Sequence, residues 1–179
     1  GLIVCVTERV PMLDMVRVRQ ALAGSKSRLI GPNSQGILAP GIAQIGVMAT
    51  VDARPGRVGI ASRSASLTSE IVLQTTRAGL GQSTTVGVGG DPVHGLGLPE
   101  TMELFLADPE TDAIVLVGEI GGAEEEATAD LVSRSMATKP VVALIVGRYA
   151  SPERRMGHAG ALVTGSGGGT AAKIAALEK

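Results

Sequence analysis

Five short runs of β-branched and aliphatic residues recur along the chain: Leu2 to Val6, Arg57 to Ala61, Thr84 to Val88, Ala113 to Val117 and Val141 to Val146. Between them, the stretches near Leu13 to Leu22, Leu67 to Arg77, Pro99 to Leu106 and Glu124 to Met136 carry apolar residues at helical spacing. Strand and helix in alternation predict an α/β fold, a doubly wound, mainly parallel sheet with helices on both faces. With one Phe and one Tyr among 179 residues, the core has to be built from Val, Ile, Leu and Ala. Glu124, Glu125 and Glu126 fall in the first turn of their helix, where they complement the positive end of its dipole, and are expected to be a solvated helix start.

Glycine and proline break the rhythm at Gly31-Pro32-Asn33-Ser34-Gln35-Gly36 and Pro40-Gly41, and the apolar pattern restarts after Pro55-Gly56. A domain boundary is therefore placed near residue 50, giving pieces 1–50 and 51–179. The first piece is too short to bury a sheet of its own, because a lone strand has neighbours on neither side. The final helix, Thr170 to Lys179, stops before the strand its apolar face would support, so further chain is expected on both sides.

Composition narrows the function classes. Net charge is −1 and no Lys/Arg block is present, which argues against a nucleic-acid partner. No apolar stretch reaches the roughly 20 residues that cross a bilayer, and the start lacks a secretory signal, so a soluble protein off the membrane is expected. Cys5 is the only cysteine, which rules out an intrachain disulfide and suits a reducing compartment, the cytoplasm or a mitochondrial matrix. Two histidines and one cysteine lack metal-ligand spacing, and His94, in Val93-His94-Gly95, is expected to be exposed. Neither the Rossmann fingerprint nor the Walker A pattern occurs.

In a doubly wound sheet, ligands bind beyond the carboxyl ends of the strands, which directs attention to four loops. Ser62-Arg63-Ser64-Ala65-Ser66 opens a helix. Free backbone N–H groups and hydroxyls there suit an anion, and simple N-capping by Ser64 or Ser66 accounts for the serines equally well. Gly89-Gly90-Asp91-Pro92 reads as a tight structural turn. Gly118-Glu119-Ile120-Gly121-Gly122 sets a carboxylate at a strand end; Glu119 either fixes the tautomer of a histidine or caps a helix. His158, in Arg154-Arg155-Met156-Gly157-His158-Ala159-Gly160-Ala161 and followed by the glycine run 165–169, is a reactive imidazole on a loop or an exposed residue of a capped turn.

In order and approximate spacing, Gly31-Pro32-Asn33, Ser62-Arg63-Ser64, Gly89-Gly90-Asp91-Pro92, Gly118-Glu119-Ile120-Gly121-Gly122 and Gly157-His158-Ala159-Gly160 resemble the succinyl-CoA synthetase alpha-subunit family, including the related part of ATP-citrate lyase. The resemblance runs through nearly the whole chain. It implies the tail of a Rossmann-like CoA-binding domain at 1–50 and a flavodoxin-like ligase domain at 51–179. It also implies a hetero-oligomeric acid:CoA ligase in which an ATP-grasp beta-type partner binds ATP or GTP with Mg²⁺ and passes the γ-phosphoryl to His158. Phosphohistidine then activates a small carboxylic acid, and coenzyme A captures the acyl group. By the same resemblance Glu119 steadies the imidazole, Ser64, Ala65 and Ser66 hold phosphate, Ser69 faces the acid, and Val6, Thr7, Glu8, Asn33 and Ser34 contact CoA.

Three positions depart from the family pattern. Ser69 replaces a tyrosine usual in succinate-specific enzymes, leaving room for a bulkier acid such as malate or citrate. Ala65 replaces a glycine at the helix start, and Ser34 a cysteine beside the CoA thiol. Two alternatives accompany the main reading: a citryl-CoA- or malyl-CoA-forming enzyme or ATP-citrate lyase piece, and a noncatalytic CoA-binding regulatory relative.

Overall fold

The computed structural model describes residues 1–49, 51–136, 138–151, 154–163 and 168–179; the division at residue 50 and the glycine run at 165–167 touch residues outside these. Elements follow in the order β1 (Leu2–Val4), α1 (Met12–Leu22), β2 (Arg28–Ile30), β3 (Gly36–Ala39), β4 (Ala43–Gly46), β5 (Pro55–Ser62), α2 (Ala65–Arg77), β6 (Gln82–Gly87), α3 (Leu98–Ala107), β7 (Ala113–Glu119), α4 (Glu124–Arg134), β8 (Val141–Val146) and α5 (Thr170–Leu177). No described helix is long and apolar enough to cross a membrane.

A six-stranded sheet runs β4-β3-β6-β5-β7-β8. Its last four strands are parallel, and their chain order of second, first, third, fourth is the flavodoxin-like winding. Buried on both faces, β5 and β7 need apolar residues at every position rather than at alternate ones, which is why Val58-Gly59-Ile60-Ala61 and Ile114-Val115-Leu116-Val117 read as unbroken runs. One face packs Ala61, Val86, Ile114 and Leu116 against α3, α4 and α5; the other packs Val58 and Ile60 against Val72 of α2. The single Phe, Phe105, lays its ring on Gly59 of β5, where a methyl group would sit 3.0 Å from the ring. Truncating Phe105 to Ala is expected to cost about 3–5 kcal/mol.

The sheet order revises the first fifty residues. β1 is not a lone strand: it pairs in parallel with β2, a three-residue strand too short to show a period. Residues 36–46 form an antiparallel hairpin, β3–β4, whose first strand pairs with β6, so they lie in the larger sheet. The change of sheet falls between Ile30 and Gly36, earlier in the chain than residue 50.

Two further expectations give way. Glu125 is fully buried, because the second residue of α4 faces back toward the strand ends and finds cations there, so the glutamate run is not a solvated helix start. His94 is 5% exposed rather than solvent-facing. Its Nε2 lies 3.0 Å from Glu124 Oε1, and Glu124 Oε2 accepts the Leu98 N–H (3.1 Å), one of the free donors at the start of α3. Burial pushes the Glu124 carboxyl up, but the hydrogen bond and charge of His94 and the Leu98 N–H together hold it below its ordinary value.

Candidate active site

The first and third strands of the parallel winding, β5 and β7, lie side by side at the switch point where the crossovers part to opposite faces. β5 delivers Arg63 immediately past its end; β7 ends on Glu119 itself. α2 begins here, with the Ser64 Oγ accepting the Leu67 N–H at 3.4 Å. Ser62 Oγ donates to the Ser64 carbonyl (3.0 Å) and accepts the Ser64 N–H (3.1 Å), so both serine hydroxyls are engaged in building the turn.

The loop after β8 returns across these strand ends. His158 Nδ1 lies 2.8 and 3.0 Å from the two oxygens of Glu119, and with that carboxylate ionised Nδ1 is the donor. In the neutral ring the lone pair is then on Nε2, the tautomer a nucleophile at that nitrogen requires. The bond to Glu119 raises the imidazole pKa above 6.5 against the lowering effect of burial; the charges of Glu119 and Asp91 add to the rise and that of Arg63 opposes it.

The ring sits where only glycine leaves room. A Cβ on Gly90 would fall 2.2 Å from His158 Nδ1, and Gly160 N–H donates to the Gly90 carbonyl (3.1 Å). On the other side, Gly121, at φ +88°, approaches the loop so closely that a Cβ would lie 2.0 Å from the Gly160 carbonyl oxygen. Met156 N–H to Ala161 O (2.9 Å) and Ala161 N–H to His158 O (3.1 Å) close the loop on itself.

His158 lines a cavity of about 400 Å³ together with Glu8, Arg9, Asn33, Ala65, Asp91 and Arg155, among others. Of the residues predicted from sequence, His158 and Glu119 are brought into contact, and Glu8, Asn33 and Ala65 share the cavity with His158. Asn33 Nδ2 donates to Asp91 Oδ1 at 3.1 Å, and its backbone N–H donates to Thr7 O at 2.8 Å. Ser34 is turned inward, bonding the Gly87 carbonyl and accepting the Gly36 N–H (2.8 Å). Val6 and Thr7 are exposed and Ser69 is half-buried; these, with Ser34, Ser64 and Ser66, lie outside the residues lining the cavity.

Residues 61–179 match the CoA-ligase family. This chain belongs to the CoA-ligase family. It is 48% identical over 180 residues to the succinate–CoA ligase [ADP-forming] subunit alpha of Aquifex aeolicus, covering 99% of this chain and 59% of that protein. It is 47% identical to the mitochondrial succinate–CoA ligase [ADP-forming] subunit alpha-2 of Trichomonas vaginalis, again with 99% and 59% covered. The chain thus spans about three-fifths of the length of these curated relatives. Among solved structures, a mutant ATP citrate lyase of Methanosaeta concilii in complex with (3S)-citryl-CoA superposes with a TM-score of 0.88 at 26% identity, covering 99% of this chain and 30% of that one.

Sequence reasoning passed over part of this site. Arg63 is 5% exposed; its Nη2 is 3.3 Å from Glu119 Oε1 and its Nη1 3.1 Å from Glu125 Oε1. Glu125 also accepts the Glu119 N–H (3.0 Å) and pairs with the fully buried Lys173. The available signal was Lys173 itself, a lone cation in the otherwise uncharged helix Thr-Ala-Ala-Lys-Ile-Ala-Ala-Leu. Buried charges are paired or they are absent, so such a residue announces a buried carboxylate elsewhere. Gly90 and Asp91, read as a structural turn, form the seat and one wall of the imidazole site.

Proposed function

We propose that this chain is part of the alpha-type subunit of an acid:CoA ligase, acting with an ATP-grasp beta-type partner, and that His158 carries the phosphoryl group between nucleotide and acid. One observation carries the reading: an imidazole clasped at Nδ1 by the strand-end carboxylate Glu119, on a loop lining a cavity. His158 Nε2 attacks the γ-phosphorus, forming an N–P bond as the bond to the departing ADP breaks. Glu119 keeps the Nδ1 proton and balances the growing positive charge of the ring. An oxygen of the acid then takes the phosphoryl from nitrogen, and the thiol of coenzyme A attacks the resulting acyl phosphate and releases inorganic phosphate.

The start of α2, capped by Ser64, supplies the backbone N–H groups of Ala65 and Ser66 to the phosphoryl oxygens. Exposed Val6 and Thr7, with the cavity residues Glu8 and Asn33, are assigned to the CoA side, and the β1–α1–β2 unit to the end of a CoA-binding domain. Succinate is the acid and ATP the nucleotide favoured by the names of the 48% and 47% identical relatives. Citrate has the structural likeness to ATP citrate lyase and Ser69 in its favour, but Ser69 does not line the cavity holding His158. A mitochondrial setting accords with the name of the Trichomonas vaginalis relative, and the cytoplasm is the alternative.

The test uses the full-length protein with its partner subunit and γ-labelled ATP. Acid-labile, alkali-stable label on His158, discharged by succinate and CoA together, is the expected result. Absence of label with an active partner would leave the noncatalytic binding reading in its place.

A further inference from the structure

We infer that Lys173, Glu125 and Arg63 form a ladder of buried charges that tunes Glu119 and so governs how readily His158 gives up its proton, making Lys173 of α5 a positioning residue for the chemistry at His158. The inference rests on the reading of His158 as phosphoryl carrier. From the interior outward, Lys173 Nζ meets Glu125 Oε2, Glu125 Oε1 meets Arg63 Nη1 (3.1 Å), Arg63 Nη2 meets Glu119 Oε1 (3.3 Å), and Glu119 meets His158 Nδ1 (2.8 Å). Cation and anion alternate through four side chains, each at most 8% exposed, whose charges cancel; the partly exposed Glu126 lies beside the inner end, its Oε2 3.9 Å from Lys173 Nζ. Of the five, His158 alone lines the cavity of about 400 Å³.

Packing gives no reason for this arrangement, since an apolar pair of similar volume in place of Lys173 and Glu125 would serve stability as well or better. An ammonium sets the potential at the next carboxylate, which a methyl group does not. Both cations also converge on one acceptor, the Gly121 carbonyl, with Lys173 Nζ at 2.7 Å and Arg63 Nη1 at 3.1 Å. Gly121 is the residue whose Cα abuts the His158 loop, so the ladder fixes the floor of the loop as well as its charge.

The two inner rungs act on His158 with opposite signs. Without the Lys173 charge, Arg63 is drawn toward Glu125, Glu119 is left more negative, and the imidazole holds its proton more tightly. Without the Glu125 charge, Arg63 turns wholly to Glu119, and the imidazole releases its proton more easily. The groups facing His158 directly are Glu119 from β7, Arg63 after β5 and Asp91 after β6, with Glu8, Arg9 and Arg155 around the shared cavity; neither substitution replaces any of these, and Glu125 reaches the ring only through its contacts with Arg63 and the Glu119 N–H.

The experiment titrates the ring signal of His158 by ¹³C NMR in the full-length protein with its partner, labelled at histidine Cε1 and assigned with His158→Asn. Lys173→Met is expected to raise the titration midpoint, Glu125→Gln to lower it, and the double variant to fall between. Phosphohistidine formation at pH 7 should drop about three- to tenfold in Lys173→Met, with its pH profile displaced in step with the ring titration. A purely structural role would lower the yield of folded protein without splitting the two singles in opposite directions. Midpoints equal to wild type, or both displaced the same way, overturn the ladder. Should Lys173→Met fail to fold, Glu125→Gln and the double variant decide, a lowered midpoint in the former supporting the ladder and an unchanged one refuting it. Split midpoints in a protein that takes no label from ATP would sink the carrier reading alone.

Discussion

The two histidines are each paired with a glutamate, and the pairs differ in what surrounds them. His94 is buried against the half-buried Glu124, and the pair ties the loop before α3 to the first turns of α3 and α4. His158 reaches Glu119 from a loop, is 28% exposed at its side chain, and lines a cavity. The same two functional groups thus serve as a clasp between helix starts in one place and as a poised ring in the other. Access to a ligand separates them, together with the charges behind the carboxylate: Glu119 is backed by Arg63, whereas Glu124 is backed by a backbone N–H.

The hardest break of that comparison is His158→Asn. Phosphoenzyme formation should fall on the order of 10⁴-fold or more while the melting temperature stays near wild type, as read by label incorporation and calorimetry. Next comes Gly90→Ala, whose added methyl collides with the ring and lifts it from Glu119. A misplacement of that size is expected to slow phosphoryl transfer about 10²-fold in single-turnover measurements. Rates equal to wild type would show that the ring is not used in the seat described above.

Glu119→Gln keeps an acceptor oxygen for Nδ1 but removes the charge, so a loss of about tenfold is expected. Because Glu119 raises the imidazole pKa, its removal should move the pH–rate midpoint of phosphorylation to lower pH; an unmoved midpoint would take Glu119 out of the site. His94→Ala should do the reverse of His158→Asn. Leaving Glu124 without its partner costs about 1–3 kcal/mol, visible as a lower melting temperature, while phosphorylation per folded molecule is unchanged.

The smallest effect concerns docking of the loop. A histidine whose pKa is raised on folding adds stability that is complete below the unfolded value near 6.5 and fades as pH climbs through the raised one. Hydrogen exchange at the Met156 and Ala161 amides, corrected for intrinsic rates, should therefore be slower at pH 6 than at pH 8.5. Equal protection would show that the Glu119 bond contributes nothing to holding the loop.

How far the sequence discloses the molecule varies with the kind of pattern. Strands β5 to β8 and helices α1 to α4 were legible: β5 and β7, buried on both faces, and the edge strand β8 carry continuous aliphatic runs, β6 carries β-branched residues, and the helices repeat apolar residues at a helical period. Strands β2, β3 and β4 were not. At three or four residues each, with glycine at both ends of the hairpin, they owe their existence to pairing, β2 with β1, β3 with β6 and β4 with β3, rather than to local preference. In the site, the contact of Glu119 with His158 was one of two open readings, since a strand-end carboxylate and a glycine-flanked histidine are both natural neighbours of a ligand. Arg63, Glu125 and Lys173 stayed hidden because charged residues ordinarily face water, and only their mutual neutralisation in the folded chain makes burial tolerable.

Asn33 gives its backbone N–H to Thr7 and its side chain to Asp91, so one residue fastens the two-stranded sheet to the loop beside the imidazole. Glu8 and Arg9 bound the cavity from the small sheet's side and Asp91 and His158 from the large sheet's side. The chamber is therefore a joint rather than a pit in one body. Because the small sheet is also bonded to the larger body from Leu96 N–H to Leu29 O and from Gly95 N–H to Gly31 O, whatever grips residues 1–10 bears on a wall facing the reacting nitrogen.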